Sequence, residues 1–148
     1  KRGVYPLWVA VEEMTFGTLS QFYKNMLEAD REGLAQQYFG RKSVYIENYL
    51  QCAVVARNIA AHGGRFYNRT RLSPAVKLPL MMRRNNVDNS SPFAYFYAIF
   101  ELLPDADKFS YIREMEKLFH KYPAAELFRM GFPVNWRALL NVPSESDT

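Results

Sequence analysis

Cysteine and histidine are scarce in this chain of 148 residues, which contains one cysteine and two histidines. The single cysteine, Cys52, excludes a disulfide within the chain and favours a location inside the cell, which we take to be the cytoplasm. The two histidines lie far apart in the sequence and do not have the spacing of a zinc site. Gly-rich phosphate loops are also missing. We therefore expect a chemistry that needs neither a metal ion nor an organic cofactor.

Long hydrophobic runs are missing as well. The apolar residues 7–11 are followed by Glu12 and Glu13, and no stretch approaches the roughly 20 apolar residues of a membrane-spanning helix. No signal peptide is visible, so we expect no association with a membrane. The first residue is Lys1 rather than Met, and we expect the chain to be the C-terminal part of a longer protein.

Acidic residues are missing from residues 48–87, although the same window contains seven basic residues. These are Arg57, Arg65, Arg69, Arg71, Lys77, Arg83 and Arg84. Because the whole chain has a net charge of only +4, its positive charge is concentrated in this window. A local cationic surface suits a polyanion such as RNA. A solvated basic surface without a ligand is an equally valid interpretation of the charge alone.

Apolar residues, in contrast, are plentiful. Hydrophobic residues make up 49% of the chain and aromatic residues 16%, which is enough for a packed core and argues against disorder. Their periodicity indicates an all-α protein with one domain over residues 1–143 and a frayed tail over residues 144–148. The main element is a long central helix from about Ser43 to His62, ended by Gly63 and Gly64.

Apolar residues three or four apart, bounded by Pro, Gly, Thr, Asp or Asn, predict the remaining helices. Their predicted bounds are Pro6 to Gly17, Thr18 onwards, Asp30 to Gly40, Pro92 to Leu103, Asp105 or Asp107 to Lys121, Pro123 to Gly131, and Asn135 onwards. Residues 70–91 are predicted to be a loop, and a loop of this length is usually functional or mobile.

Three polar residues, Arg57, Asn58 and His62, stand at the end of the long apolar helix. Asn58 and His62 are four residues apart and can touch, and Arg57 flanks the same face. If the helix continued for one more turn, Arg65 would lie between them. The negative end of the helix dipole favours a protonated His62.

This set of side chains suits RNA cleavage without a metal ion. An imidazole can act as general acid or general base, and Arg57 can offset the charge of the transition state. RNA supplies its own nucleophile, the 2′-hydroxyl, and the expected products are a 2′,3′-cyclic phosphate and a 5′-hydroxyl. One such histidine per chain suggests a dimer with a shared cleft. The alternatives are a capping histidine, a surface ion-pair arginine and a hydrogen-bonding asparagine.

The stretch Arg57-Asn58-x-x-Ala61-His62-x-x-Arg65-x-x-Asn68 resembles the motif of the Abi-like (AbiD/AbiF-type) abortive-infection proteins, a family of the HEPN superfamily of helical ribonucleases. Residues 6–20 resemble the other characteristic block of that family, and residues 130–136 resemble its C-terminal ending. The three blocks in this order are far more specific than the Arg-to-His spacing alone.

The resemblance implies a HEPN-like helical bundle in which the long central helix carries the motif, and a bacterial anti-phage toxin that cleaves RNA at a composite site in a homodimer. It implies that Arg57 and His62 are catalytic and that Asn58 supports them. An antitoxin or a phage trigger is a further expected partner. The candidate RNA-binding residues are Arg65, Tyr67, Asn68, Arg69 and Arg71, with Tyr67 suited to stacking on a base. A non-catalytic RNA-binding module and a phage-sensing helical domain are the alternatives.

Overall fold

The computed structural model describes Val9, Glu12, residues 14–123 and residues 125–140. Within residues 14–123 and 125–140 the chain forms seven α-helices and one 3₁₀ helix, and this part contains no strand. The helices are α1 (Phe16–Lys24), α2 (Glu28–Phe39), α3 (Ser43–Ala61), α4 (Leu80–Arg84), α5 (Pro92–Leu102), α6 (Asp105–Lys121), the 3₁₀ helix (Leu127–Met130) and α7 (Trp136–Leu139). The predicted all-α class is confirmed. None of the helices in this part of the chain is long and apolar enough to cross a membrane.

The chain divides into two compact units, residues 1–47 and residues 48–148. The first unit contains α1, α2 and the first five residues of α3, and the second contains the rest of α3 and all later elements. The predicted tail 144–148 lies outside the described residues, and so does half of the predicted helix from Pro6 to Gly17, of which Val9 and Glu12 are helical.

Helix α1 begins earlier than predicted. The side-chain oxygen of Thr15 accepts a hydrogen bond of 3.1 Å from the Thr18 N–H, which makes Thr15 the N-cap. The predicted cap at Thr18 is therefore wrong, and Gly17 lies inside the helix instead of ending the one before it. A free N–H in a first helical turn needs an acceptor, and the hydroxyl of Thr15 supplies it.

Helix α2 also begins before its predicted cap. It starts at Glu28, so Asp30 lies in the first turn, where a carboxylate favours the positive end of the helix dipole. The predicted end is confirmed, because Gly40 follows the last helical residue with a φ of 59°. Later in the same helix, Glu32 accepts a hydrogen bond of 2.8 Å from the Ser43 N–H. This carboxylate thereby caps the start of α3.

The core of the second unit is formed by α3 and α5. Tyr49, Cys52 and Ala56 of α3 are buried, and so are seven of the eleven residues of α5. The rings of Tyr49 and Tyr97 meet at nearly a right angle, with their centroids 5.9 Å apart. The predicted start of α5 at Pro92 is confirmed, since proline is favoured at the first helical position and the side chain of Ser91 caps the Ala94 N–H.

The segment between α3 and α5 is anchored to both helices. Asn48 of α3 accepts a hydrogen bond of 2.6 Å from the Lys77 N–H and donates one of 3.0 Å to the Ala75 carbonyl oxygen. From α5, the Tyr95 hydroxyl donates a hydrogen bond of 2.6 Å to the Pro74 carbonyl oxygen. Residues 70–91 are not loop throughout, because they include α4. The first half of this segment serves to cover the core.

Helix α6 ends at Lys121, as predicted, and begins at Asp105. Neither Asp105 nor Asp107 caps it, because Pro104 is the N-cap and both carboxylates lie in the first turn. The helix predicted from Pro123 is also shorter than expected and forms only as the 3₁₀ helix. For α6, starts at Asp105 and at Asp107 are both compatible with the local sequence, and the proline at position 104 favours the earlier one.

Residues 130–136 form the centre of an aromatic cluster. The Phe132 ring lies 4.8 Å from Phe93, 5.4 Å from Phe119 and 5.6 Å from Trp136, measured between centroids. Gly131 has a φ of 76°, and a Cβ atom there would lie 2.5 Å from the Cβ of Ser91. Only glycine fits this position, which explains its place in the block.

Candidate nucleic-acid interface

The end of α3 is closed by two consecutive backbone hydrogen bonds. The Gly63 N–H donates to the Ala60 carbonyl oxygen at 3.1 Å, and the Gly64 N–H donates to the Ile59 carbonyl oxygen at 2.7 Å. Gly63 has a φ of 68°, in the left-handed region. These features define a Schellman motif, in which His62 is the C-cap residue. The predicted end of the helix is confirmed to within one residue.

This closure changes the geometry expected for Arg65. The helix does not continue for another turn, so Arg65 does not lie between Asn58 and His62 on a helical face. The left-handed backbone at Gly63 turns the chain away from the helix axis. Arg65 instead belongs to the irregular segment that follows.

Arg57, Asn58 and His62 are all exposed. The Arg57 Nη1 donates a hydrogen bond of 3.2 Å to the Asn58 Oδ1, and the His62 N–H donates one of 3.1 Å to the Asn58 carbonyl oxygen. The first bond aligns the guanidinium with the amide, and the second places the imidazole one helical turn after Asn58. The sequence-predicted triplet therefore lies on one accessible helix end.

The next predicted residues form a turn. The Arg69 N–H donates a hydrogen bond of 3.2 Å to the Phe66 carbonyl oxygen, and Asn68 has a φ of 58°. Asparagine tolerates the left-handed conformation better than other residues with a side chain. The left-handed backbone is therefore a structural reason for an asparagine at position 68, in addition to its predicted contact with RNA.

Two aromatic residues anchor this turn to other elements of the second unit. The Phe66 ring lies 5.5 Å from the Phe96 ring of α5, centroid to centroid. Next to it, the Tyr67 hydroxyl accepts a hydrogen bond of 3.4 Å from the Glu126 N–H. Arg65 and Arg69 flank these anchors and are both exposed. The contacts of Phe66 and Tyr67 therefore fix the backbone that carries the two arginines.

The seven basic residues of the window 48–87 are all exposed, namely Arg57, Arg65, Arg69, Arg71, Lys77, Arg83 and Arg84. None of them forms a salt bridge within the described part of the chain, where the ion pairs use other cations. Uncompensated positive charge attracts an anionic partner over a range of about 10 Å at ordinary salt. The exposed cations of this window therefore favour an anionic partner.

A cavity beside Tyr67 was not predicted from the sequence. Its volume is about 730 Å³, and we call it the aromatic cavity, with Tyr67, Phe96, Tyr111, Leu118, Phe119 and Tyr122 among its lining residues. The only sequence signal was the apolar stripe along α6, which predicted a core face. Leu118 on that stripe is instead 55% exposed.

Metal-ligating groups show no clustering in the described residues. No group of three or more His, Cys, Asp and Glu side chains there is arranged to hold a metal ion. The other histidine, His120, is exposed near the end of α6, and its Nδ1 lies 2.8 Å from the Glu116 carbonyl oxygen. It is a surface residue and is not part of the Arg57, Asn58 and His62 triplet.

No curated protein and no solved structure gives a significant match to this chain. A family model described as Abi-like protein matches residues 1–68, which is 68 of 148 residues, or just under half of the chain. The matched part includes Arg57, Asn58, His62 and Asn68. This match supports a relationship of the N-terminal part of the chain, including the whole motif, to the Abi-like protein family.

Proposed function

We propose that this protein is a metal-independent endoribonuclease of a bacterial abortive-infection system. Two copies of the chain form the site, and each contributes Arg57, Asn58 and His62. The proposal assigns the protein to the HEPN type of helical ribonuclease, for which the resemblance of the motif is the ground. Its cellular role follows from the similarity of residues 1–68 to Abi-like proteins.

The observation that carries the proposal is the exposed helix end. Arg57 and Asn58 are hydrogen-bonded to each other at 3.2 Å, and His62 is held as the C-cap residue by the two glycines after it. A catalytic group works best when rigid elements hold it in place. Because all three side chains face solvent, an RNA strand and a second copy can both reach them.

The reaction uses the 2′-hydroxyl of RNA as the nucleophile. A general base takes the 2′ proton, the 2′ oxygen forms a bond to phosphorus, and the bond from phosphorus to the 5′ oxygen breaks. A general acid then protonates the leaving 5′ oxygen, so the products are a 2′,3′-cyclic phosphate and a 5′-hydroxyl. One neutral and one protonated imidazole serve as base and acid, and the His62 residues of two copies supply both.

Arg57 and Asn58 act on the phosphate. The guanidinium carries a permanent charge and matches the geometry of phosphate oxygens, so it stabilises the charge that develops in the transition state. The Arg57–Asn58 hydrogen bond uses the amide oxygen, which leaves the Asn58 amide N–H groups facing outward as donors. Arg65, Arg69 and Arg71 hold the flanking phosphates.

The test is a cleavage assay in EDTA with structured and unstructured RNA. We expect cyclic-phosphate ends from the unsubstituted chain and a loss of at least about a hundredfold in rate for His62→Ala. His120→Ala is the matched control, because this second histidine is also exposed and lies on α6. A second measurement is the kinetic order of the cleavage rate in protein concentration. A dimeric site raises this order above one when the protein is dilute enough to be mostly monomeric.

The outcomes separate the proposal from its alternatives. Binding of RNA without cleavage, unchanged by His62→Ala, would identify a non-catalytic RNA-binding module. No binding at all, with Arg57→Ala changing only the oligomeric state, would identify a phage-sensing or structural domain. Equal loss of cleavage in His62→Ala and His120→Ala would contradict the assignment of His62.

A further inference from the structure

The aromatic cavity is large enough for a small ligand, and Tyr67, one of the candidate RNA-binding residues, lines it. Its volume of about 730 Å³ falls in the range of small-molecule sites. Its walls come from α5, from α6 and the segment after it, and from Tyr67. All of these belong to the second unit. The cavity is therefore formed within one compact part of the chain.

The end of α6 and the residue after it leave apolar side chains uncovered along this cavity. Leu118 of α6 is 55% exposed, and Tyr122, the C-cap residue of this helix, is 56% exposed. Both line the cavity. An open apolar concavity of this size offers space for an aromatic or aliphatic group of a ligand.

Tyr67 connects the cavity to the cationic turn. Its ring lines the cavity, and Arg65 and Arg69 are each two residues away along the chain. Two successive Cα–Cα steps of 3.8 Å limit each arginine Cα to about 7.6 Å from that of Tyr67. Phe66 strengthens the connection, since it packs on Phe96, another wall of the cavity. Positive charge and aromatic walls are thus adjacent.

The lining adds little net charge of its own. Glu114 is the charged residue of the lining, and Lys117 pairs with its Oε1 at 2.6 Å. The ligand should therefore combine a flat, uncharged aromatic group, whose face can pack on the aromatic walls, with an anionic chain. Single-stranded nucleic acid has this composition, and its binding proteins combine aromatic stacking platforms with a cationic track.

We propose that the aromatic cavity binds one unstacked base of the RNA strand whose phosphates are held by Arg65 and Arg69. This inference rests on the proposed function, because it takes RNA as the ligand of the same surface, and it adds a base subsite next to the cleavage site. A base in the cavity stacks on Tyr67 and contacts Leu118, and it fixes the register of the strand relative to His62.

The test measures the binding of RNA oligonucleotides that each lack one base. It uses the His62→Ala chain, which is expected not to cleave them. Single-stranded RNA oligonucleotides with one abasic position each are titrated against His62→Ala and against the same chain with Leu118→Lys. We expect one abasic position to weaken binding by about tenfold or more in the His62→Ala chain. The same position should have no effect in the chain with Leu118→Lys, because the filled cavity no longer holds the base.

Phe109→Lys is the matched control. Phe109 also lies on α6 and is 62% exposed, but it does not line the cavity. It adds the same charge, so it should keep the full effect of the abasic position. Tyr122→Ala provides a second variant that removes a wall without adding charge, and it should also reduce the abasic effect. Circular dichroism melts check that both cavity variants fold.

The failures of the two proposals are distinguishable. If the unsubstituted chain cuts RNA but no abasic position weakens binding, the base subsite is wrong and the proposed function stands. If RNA binds with the expected abasic effect but is not cut, the ribonuclease assignment fails and the base subsite stands. Binding of a fluorescent fatty acid that Leu118→Lys abolishes and RNA does not displace would overturn the subsite in favour of a lipid. No binding of RNA at all would overturn both.

Discussion

Gly64 lies against Ile59 so closely that no side chain fits between them. A Cβ atom on Gly64 would be 2.8 Å from the Ile59 Cγ2 and 2.9 Å from the Ile59 carbonyl oxygen. The oxygen belongs to the helix backbone and already accepts the Gly64 N–H, so it cannot move without opening the end of α3. The glycine thus fixes the position of His62, which lies two residues before it in the chain.

Gly64→Ala should destabilise the protein. Overpacking against backbone costs about 1–3 kcal/mol, and relief of the clash would displace His62 from its C-cap position. We expect a lower midpoint in urea denaturation together with a reduced rate of RNA cleavage.

Gly33→Ala is the control for this change. Gly33 lies within α2 and is exposed, and a Cβ atom added to it would meet no other atom within 4 Å. Alanine inside a helix is favoured over glycine by about 0.5–1 kcal/mol, so this variant should be slightly more stable. Equal stability of the two variants would contradict the close contact at Gly64.

Asn48→Ala should be among the more damaging single substitutions in the second unit. The side chain is buried and bonds to the backbone at Ala75 and Lys77, and its loss leaves a donor and an acceptor without partners. We expect a loss of about 2–4 kcal/mol in the free energy of unfolding. Asn89→Ala, at an exposed position, should change it by less than about 0.5 kcal/mol.

Glu32→Gln should remove an acid-sensitive part of the stability. Hydrogen bonds from the Ser43 side chain and its backbone N–H lower the pKa of Glu32 to about 2, from 4.5. A lowered pKa stabilises the fold above pH 4.5, and this contribution is lost as the pH falls through about 2. The difference in melting temperature between the unsubstituted chain and Glu32→Gln should therefore be present at pH 7 and vanish near pH 2. Glu28→Gln, which replaces an exposed carboxylate on the same helix, is the control substitution.

Arg65→Gln and Arg69→Gln should each weaken the salt dependence of RNA binding. A phosphate contact on single-stranded nucleic acid contributes about 0.7 to the slope of log affinity against log salt, so each variant should reduce the slope by about that amount. Arg113→Gln removes an exposed charge of α6 outside the basic window and should leave the slope unchanged. A slope that responds equally to all three variants would show a diffuse attraction without defined contacts.

Local signals in the sequence were enough to predict most helix ends. Proline at position 92, and glycine at positions 40, 63 and 131, act through their own backbone conformations. They therefore mark the same boundaries wherever the helices pack. The error at Thr18 arose because Thr15 could cap the helix equally well, and the hydrogen bond from the Thr18 N–H decides for Thr15. Helix α2 begins before Asp30, after Leu27, without any side-chain cap.

The sequence by itself also determined the exposed triplet of Arg57, Asn58 and His62, because it lies on one helix whose end is set by the glycines that follow. Only the tertiary structure decided the anchoring of residues 70–79 by Asn48 and the aromatic cavity beside Tyr67. These depend on contacts between residues some 30 to 60 positions apart. No local periodicity encodes such contacts, since they form only when the packing of the helices brings the segments together.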